Sequence, residues 1–183
     1  VTTTRERALD AAVRLVGEQG IRALTHARVD ERAGLPKGST SNWFRTRAAL
    51  MTGVSEWIAE QETHDLGPVL TQQFDDLEAF IDVFSSVIEL LTGQHAVRTR
   101  ARYALFLEAS SDPELFQPLR AQREGMEAWS RQLLVTLGAK HPDAALHAFM
   151  AFGDGIVLHR LSIDPDAPVR ESVAVAVRGC LAA

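Results

Sequence analysis

Between Thr25 and Arg47 the sequence runs THARVDERAGLPKGSTSNWFRTR, and few folds accommodate such a stretch. Thr25 is a residue type that caps a helix by accepting from a free backbone N–H. The helix it would open covers about 26–33. Val29 and Ala33, one turn apart, face inward, and His26, Arg28, Asp30 and Glu31 face out. Gly34 ends that helix, Leu35 buries the corner, and Pro36 costs little where its missing N–H would be unpaired anyway. The next helix, about 37–43, is Lys-Gly-Ser-Thr-Ser-Asn-Trp, a run of poor helix formers. It cannot persist alone and must be held by packing through Leu35, Phe44 and Thr40. A face kept small and polar at the expense of propensity serves something other than stability. The arrangement is a helix-turn-helix.

The flanks are helical too. Thr3 and Glu6 have the spacing of a capping box, and Ala8, Ala12, Leu15 and Val16 form one apolar stripe over residues 3–19. Gly20 lets the chain leave that helix, and Ile21 and Leu24 pin the connection. Thr46 caps a fourth helix, about 47–64, with a break at Gly67-Pro68. Further helices are expected from Asp75 or Asp76 to Thr92, over 94–109, from Asp112-Pro113 to about Leu137, from Pro142 to about Ile163 and over 169–181. In the helix over 94–109, Leu107 joins the apolar stripe and Arg98, Arg100 and Arg102 lie mostly on the wet side. No strand alternation of useful length occurs. The fold class is therefore all-α with about nine helices: a three-helix head, residues 1–47, and a helical body, residues 48–183.

Charge separates the same parts. Residues 1–50 carry nine Lys/Arg against five Asp/Glu, so +4, and residues 51–183 carry ten against nineteen, so −9. A basic head on an acidic body suits a polyanion-binding module, because phosphate contacts supply most non-specific DNA affinity. No run of 18 apolar residues is present, so no membrane span is expected. The N-terminal residues lack the apolar core of a signal peptide. The single cysteine, Cys180, excludes an intrachain disulfide, and a reducing cytoplasm is the simplest location.

The head resembles the TetR/AcrR-like family of bacterial transcription regulators. The resemblance is carried by Ala11-Ala12 and Leu15, Gly20, the run Ala33 to Ser39, Phe44 and Ala48-Ala49-Leu50. In the body only the helix count and the Asp154-Gly155-Ile156…Leu161 run agree. The resemblance implies an all-α homodimer, a ligand-binding and dimerisation body, and a near-palindromic double-stranded DNA operator. The sequence departs from the family at Ser41, where a tyrosine contacting the DNA backbone is common, and at Trp43, often a histidine. The operator should differ accordingly.

On this reading Ser39, Ser41 and Asn42 lie near base edges, with Asn42 suited to adenine. Gly38 permits close approach, Thr40 is counted with the DNA-binding residues of the same helix, and Trp43 packs on sugar and phosphate or fills the head's core. Thr25, His26, Arg28, Lys37, Arg45 and Arg47 contact phosphates. A sensor pocket, which the resemblance places among the body helices, would draw on Trp57, Phe84, Ile88, Phe106, Met126, Trp129, Phe149 and Phe152. Arg102, Tyr103 and Arg123 would orient a small-molecule ligand. Gly153 and Gly155 permit close helix approach, so Ala148, Ala151, Phe152, Gly153, Gly155, Ile156 and His159 form a dimer face. Val169, Val173, Ala176, Val177 and Cys180 add a second strip. No histidine pair has metal-ligand spacing and no nucleophile or phosphate-loop motif occurs, so neither cofactor, metal nor catalytic residue is expected. The expected function is a ligand-responsive regulator, a repressor released from its operator by a small molecule. The alternatives are a ligand-independent regulator and an enzyme carrying this head.

Overall fold

The computed structural model describes residues 3–72, 74, 76–109 and 117–182. Among them are nine α-helices and no strand: α1 (Thr4–Gln19), α2 (His26–Ala33), α3 (Ser39–Trp43), α4 (Arg47–Leu70), α5 (Leu77–Thr92), α6 (Ala96–Ala109), α7 (Gln117–Thr136), α8 (Pro142–Ser162) and α9 (Val169–Ala182). A single 3-10 turn, Ile21–Ala23, joins α1 to α2. The helices pack as two compact units, one of residues 1–63 and 97–122, the other of residues 64–96 and 123–183. No described helix is long and apolar enough to cross a membrane.

The first unit forms around the apolar stripe of α1. Its start is fixed by the Thr3/Glu6 box: the Glu6 N–H donates to Thr3 Oγ1 at 3.2 Å and the Thr3 N–H to Glu6 Oε2 at 2.6 Å. Ala8, Leu9, Ala12, Leu15 and Val16 are buried against Leu24, Val29, Leu50, Met51, Val54 and Ile58, and Ala101, Leu105 and Leu119 complete the same cluster. Two glycines in helix interiors mark close approaches. A Cβ on Gly17 would strike the Val97 backbone carbonyl, and one on Gly53 would strike the Phe44 ring. Each therefore brings helix and neighbour closer than alanine allows.

Three expectations for this region change. α4 does not break at Gly67-Pro68 but runs to Leu70. Pro68 falls in its last turn, where the ring forfeits a single backbone bond, and the Thr71 hydroxyl donates to the Gly67 and Pro68 carbonyls. Leu107 is 77% exposed, because it sits two residues, some 200° of helix, from inward-facing Leu105. Arg102 turns inward instead, and its Nη1 donates to Glu62 Oε2 at 2.5 Å.

In the second unit α5, α8 and α9 pack on one another. Asp76 caps α5, accepting from the Ala79 N–H at 2.8 Å. Phe80, Ile81, Ile88, Leu134, Phe149, Val173 and Val177 are buried. Arg170 ties α9 to α5 through Asp82 and Glu78, and Arg178 joins it on Glu78. Arg123 of α7 grips Asp154 of α8 with two bonds, 3.0 and 2.8 Å. Pro142 stands in the first turn of α8, as expected. The Asp112-Pro113 start expected for the preceding helix lies outside the described residues.

Candidate nucleic-acid interface

The helix-turn-helix closes through a residue the sequence pattern placed on the surface. α2 begins with Thr25 accepting from the Arg28 N–H and ends at Gly34, whose φ of 62° is the left-handed conformation glycine adopts freely. The turn then reaches Gly38, also left-handed at φ 86°, which offers no side chain to cap α3. Asp30, read as outward, does this from the previous helix. It is buried, and its Oδ2 accepts from the Gly38 N–H at 2.7 Å while Oδ1 accepts from the Thr40 N–H at 2.8 Å and the Thr40 hydroxyl at 2.5 Å. Burial pushes the Asp30 carboxyl upward, but the Thr40 hydroxyl and the Thr40 and Gly38 N–H groups outweigh it, and the net displacement is below the ordinary value. A short helix of poor formers is thus held by a buried anion at its N-terminus, where the peptide dipoles favour one.

The expected DNA-contacting residues divide on this geometry. Thr40 is fully buried with its hydroxyl spent on Asp30, so it belongs to the support and not to the reading face. α3 starts at Ser39, two residues later than expected, because Gly38 is its left-handed cap; the Ser39 hydroxyl donates back to the Pro36 carbonyl at 2.6 Å. His26 is half-buried and its Nε2 pairs with the Phe44 carbonyl at 2.6 Å. Arg28 donates to Gln19, and Arg47 donates to the Ile21 carbonyl at 3.0 Å and points Nη1 at the Met51 sulfur. Thr25 is exposed with its oxygen in the cap. Ser41, Asn42 and Trp43 form a contiguous exposed surface on α3, Trp43 at 40%, and Lys37 and Arg45 are exposed on either side. Arg5, absent from the expected set, lies over the Phe44 ring at 5.5 Å to the centroid, which sets a further cation beside the end of α3. An arginine two residues past an N-cap gives no sequence signal of this.

The residues expected to line a pocket fall into two groups. Trp57, Arg102, Tyr103 and Phe106 belong to the first unit. There the Trp57 indole N–H donates to Asp10 at 2.8 Å, and the Arg102 guanidinium sits 5.3 Å from the Phe106 centroid while it pairs with buried Glu62. Phe84, Ile88, Arg123, Met126, Trp129, Phe149 and Phe152 belong to the second. Phe84 and Phe149 lie 4.7 Å apart, centroid to centroid, and Phe80 contacts both as well as Trp129. Arg123 is occupied by Asp154 and Glu127. A groove of about 290 Å³ runs elsewhere in this unit, between Asp65, Leu66 and Val69 of α4 and Asp82, Val83, Ser86, Val87 and Leu90 of α5, none of them in the expected set. The signal was a second apolar stripe on α5.

The expected dimer face also divides. On α8, Ala148, Ala151, Gly155 and His159 are exposed, Phe152, Gly153 and Ile156 are half-buried, and a Cβ on Gly153 would touch Phe84 at 3.7 Å. On α9, Val169, Val173, Val177 and Cys180 are buried within the chain, in the helix that packs on α5 and α8, so they have no surface left to offer a partner. Burial pushes the Cys180 thiol up, which suits a packing residue. Ala176 is half-buried, and Val175 is an exposed large apolar residue of α9. No group of three or more metal-ligating side chains occurs among the described residues.

Residues 75–183 match the family profile described as Tetracyclin repressor-like, C-terminal domain. Among solved structures, the multidrug binding protein EbrR complexed with ethidium is 28% identical, with a TM-score of 0.70 and 96% of each chain covered. A member of the TetR family from Streptomyces coelicolor A3 is 29% identical at the same TM-score and coverage. A transcriptional regulator from Rhodococcus sp. Rha1 shares the fold at a TM-score of 0.81 and 16% identity, covering 98% of this chain and 97% of that one. No curated protein matches the sequence.

Proposed function

This chain belongs to the tetracyclin repressor-like family, and on that footing we propose that it is a DNA-binding transcription regulator whose hold on its operator is altered by a small molecule. The observation that carries this is the surface of α3. Ser41, Asn42 and Trp43 are exposed side by side on a helix whose own stability comes from Asp30 behind it. Polar side chains of that size hydrogen-bond base edges at close approach, with Asn42 as adenine reader. Lys37 and Arg45, with Arg5 beside them, supply phosphate contacts. Thr25, His26, Arg28 and Arg47 contribute less than their types imply, since each already has a partner in the head. The reading part is residues 1–47 and the sensing and dimerising part 48–183, even though packing joins residues 48–63 and 97–122 to the head.

The protein acts as a cytoplasmic homodimer and a repressor. Ala144, Ala148, Ala151, Gly155 and Leu158 recur at alternating spacings of four and three along the exposed side of α8, the pattern that lets two helices approach closely. Val175, Gly179 and Ala182 are exposed on α9 at the same spacing. Two such heads would engage a near-palindromic site. The structure of EbrR with ethidium, at 28% identity, supports ligand response; coupling requires that the ligand favour one arrangement of the two heads. Fluorescence anisotropy with the DNA upstream of the protein's own coding sequence tests the reading. Tight binding that about a hundredfold excess of random-sequence DNA fails to displace is expected; binding no tighter than to random DNA would overturn it.

A further inference from the structure

The interior of the first unit holds polar atoms that the head does not use. Ser55 and Glu62 lie two turns apart on one side of α4, and both are fully buried. Glu62 Oε2 accepts from Arg102, but Glu62 Oε1 is buried with no hydrogen-bond partner. Ser55 Oγ and Gln122 Oε1, in the same unit, are buried without partners as well. Buried polar atoms left unpaired are costly and rare, and a half-satisfied polar group is worse for stability than an apolar one. A leucine at 62 and a methionine at 102 would serve the core better. The residues beside the pair in register are Ile58, Ala101 and Leu105, which are apolar and buried, and Phe106, on which the Arg102 guanidinium rests.

We propose that Glu62 is the polar anchor of the effector site, and that the effector is an apolar molecule carrying primary-amine N–H groups. Glu62 Oε1 and Gln122 Oε1 accept and do not donate, so a ligand meets them with hydrogen-bond donors, and amine N–H groups supply these on an otherwise apolar ring system. Arg102 already balances the Glu62 charge, so the recognised feature is the N–H and not net positive charge. The inference rests on the ligand-responsive reading above and names its chemistry.

The test uses two dyes of the same charge and ring system. Proflavin carries two primary amines; in acridine orange both amines are dimethylated, so only the ring N–H that the two dyes share remains. In fluorescence titrations of the full chain without DNA, proflavin should bind about tenfold or more tightly than acridine orange, the ratio expected for a hydrogen bond to a charged acceptor. The double variant Glu62→Leu/Arg102→Met removes both charges and leaves neither unpaired. It should lose that preference, with proflavin weakened by about tenfold or more and acridine orange changed less than about twofold. Glu62→Gln, nearly isosteric, should weaken proflavin in the same direction. Equal binding of the two dyes to the parent protein, absence of proflavin binding, or a proflavin affinity unmoved in both variants would each overturn the proposal. Failure of the parent protein to hold its upstream DNA would instead overturn the regulatory reading, and the dye titrations would still decide the role of Glu62.

Discussion

Replacing Asp30 by alanine removes three hydrogen bonds at once, and their surroundings set the loss. The Gly38 N–H belongs to an exposed residue and regains water. The Thr40 N–H and hydroxyl belong to a fully buried one and do not. A buried donor left unsatisfied costs about 1–3 kcal/mol. Two such donors, partly relieved by local rearrangement, give a destabilisation of the first unit of roughly 2–4 kcal/mol. Urea denaturation followed by tryptophan emission in a Trp129→Phe background, where Trp43 and Trp57 report this unit, reads it directly. With a slope of about 2 kcal/mol per molar, the midpoint should fall by about 1–2 M. Asp30→Asn keeps one oxygen for Thr40 and turns an amide toward the Gly38 N–H, so its loss should be about half as large. A midpoint shift for Asp30→Ala worth less than about 0.5 kcal/mol, the level of an ordinary surface change, would show that the carboxylate does not hold α3.

The same carboxylate fixes a pH dependence. Its pKa in the folded head lies below the ordinary value of 3.8, so its contribution is complete above that value and is lost as pH falls through the lower, folded one. Stability curves of the parent protein and Asp30→Asn should therefore converge below about pH 3.8, and a gap that stayed constant into that range would contradict the assignment. Gly53→Ala sets two effects against each other. Helix propensity favours alanine by about 1 kcal/mol, but the added Cβ strikes the buried Phe44 ring, and overpacking of that kind costs about 1–3 kcal/mol. Packing should win, and thermal melts should show a lower midpoint. Ala151→Glu puts a charge on the exposed side of α8 and should convert dimer to monomer in sedimentation equilibrium; an unchanged mass would remove α8 from the interface.

What was legible in the sequence was short-ranged. Thr3 with Glu6, Thr25, Thr46 and Asp76 cap helices three residues away, and such pairs are read from spacing alone. Gly34 was equally plain, because a glycine after an apolar turn has few alternatives, whereas Thr40 reads as a packing residue and a DNA contact alike until its hydroxyl is seen on Asp30. Asp30 was missed because its partners are eight and ten residues on, across a turn. The available signal was the glycine at 38, which leaves α3 with no cap of its own. The α9 strip was misassigned for a related reason. An apolar stripe announces that something covers it, not whether the cover is another subunit or, as here for Val173 and Val177, the rest of the chain. Glu62 gave no sign at all, since a glutamate on a long helix reads as solvated until Arg102 is seen beside it.

Base reading is proposed for the exposed side of α3. Its most direct measurement is the affinity of the parent protein, Ser41→Ala and Asn42→Ala for the operator and for each single-base variant of it, at one fixed salt concentration. Asn42→Ala should flatten the preference at one or two adjacent positions, by about 1–3 kcal/mol each, while the other positions and the affinity for random DNA stay as they were. Uniform weakening across every sequence, or base preferences untouched by either substitution, would contradict it.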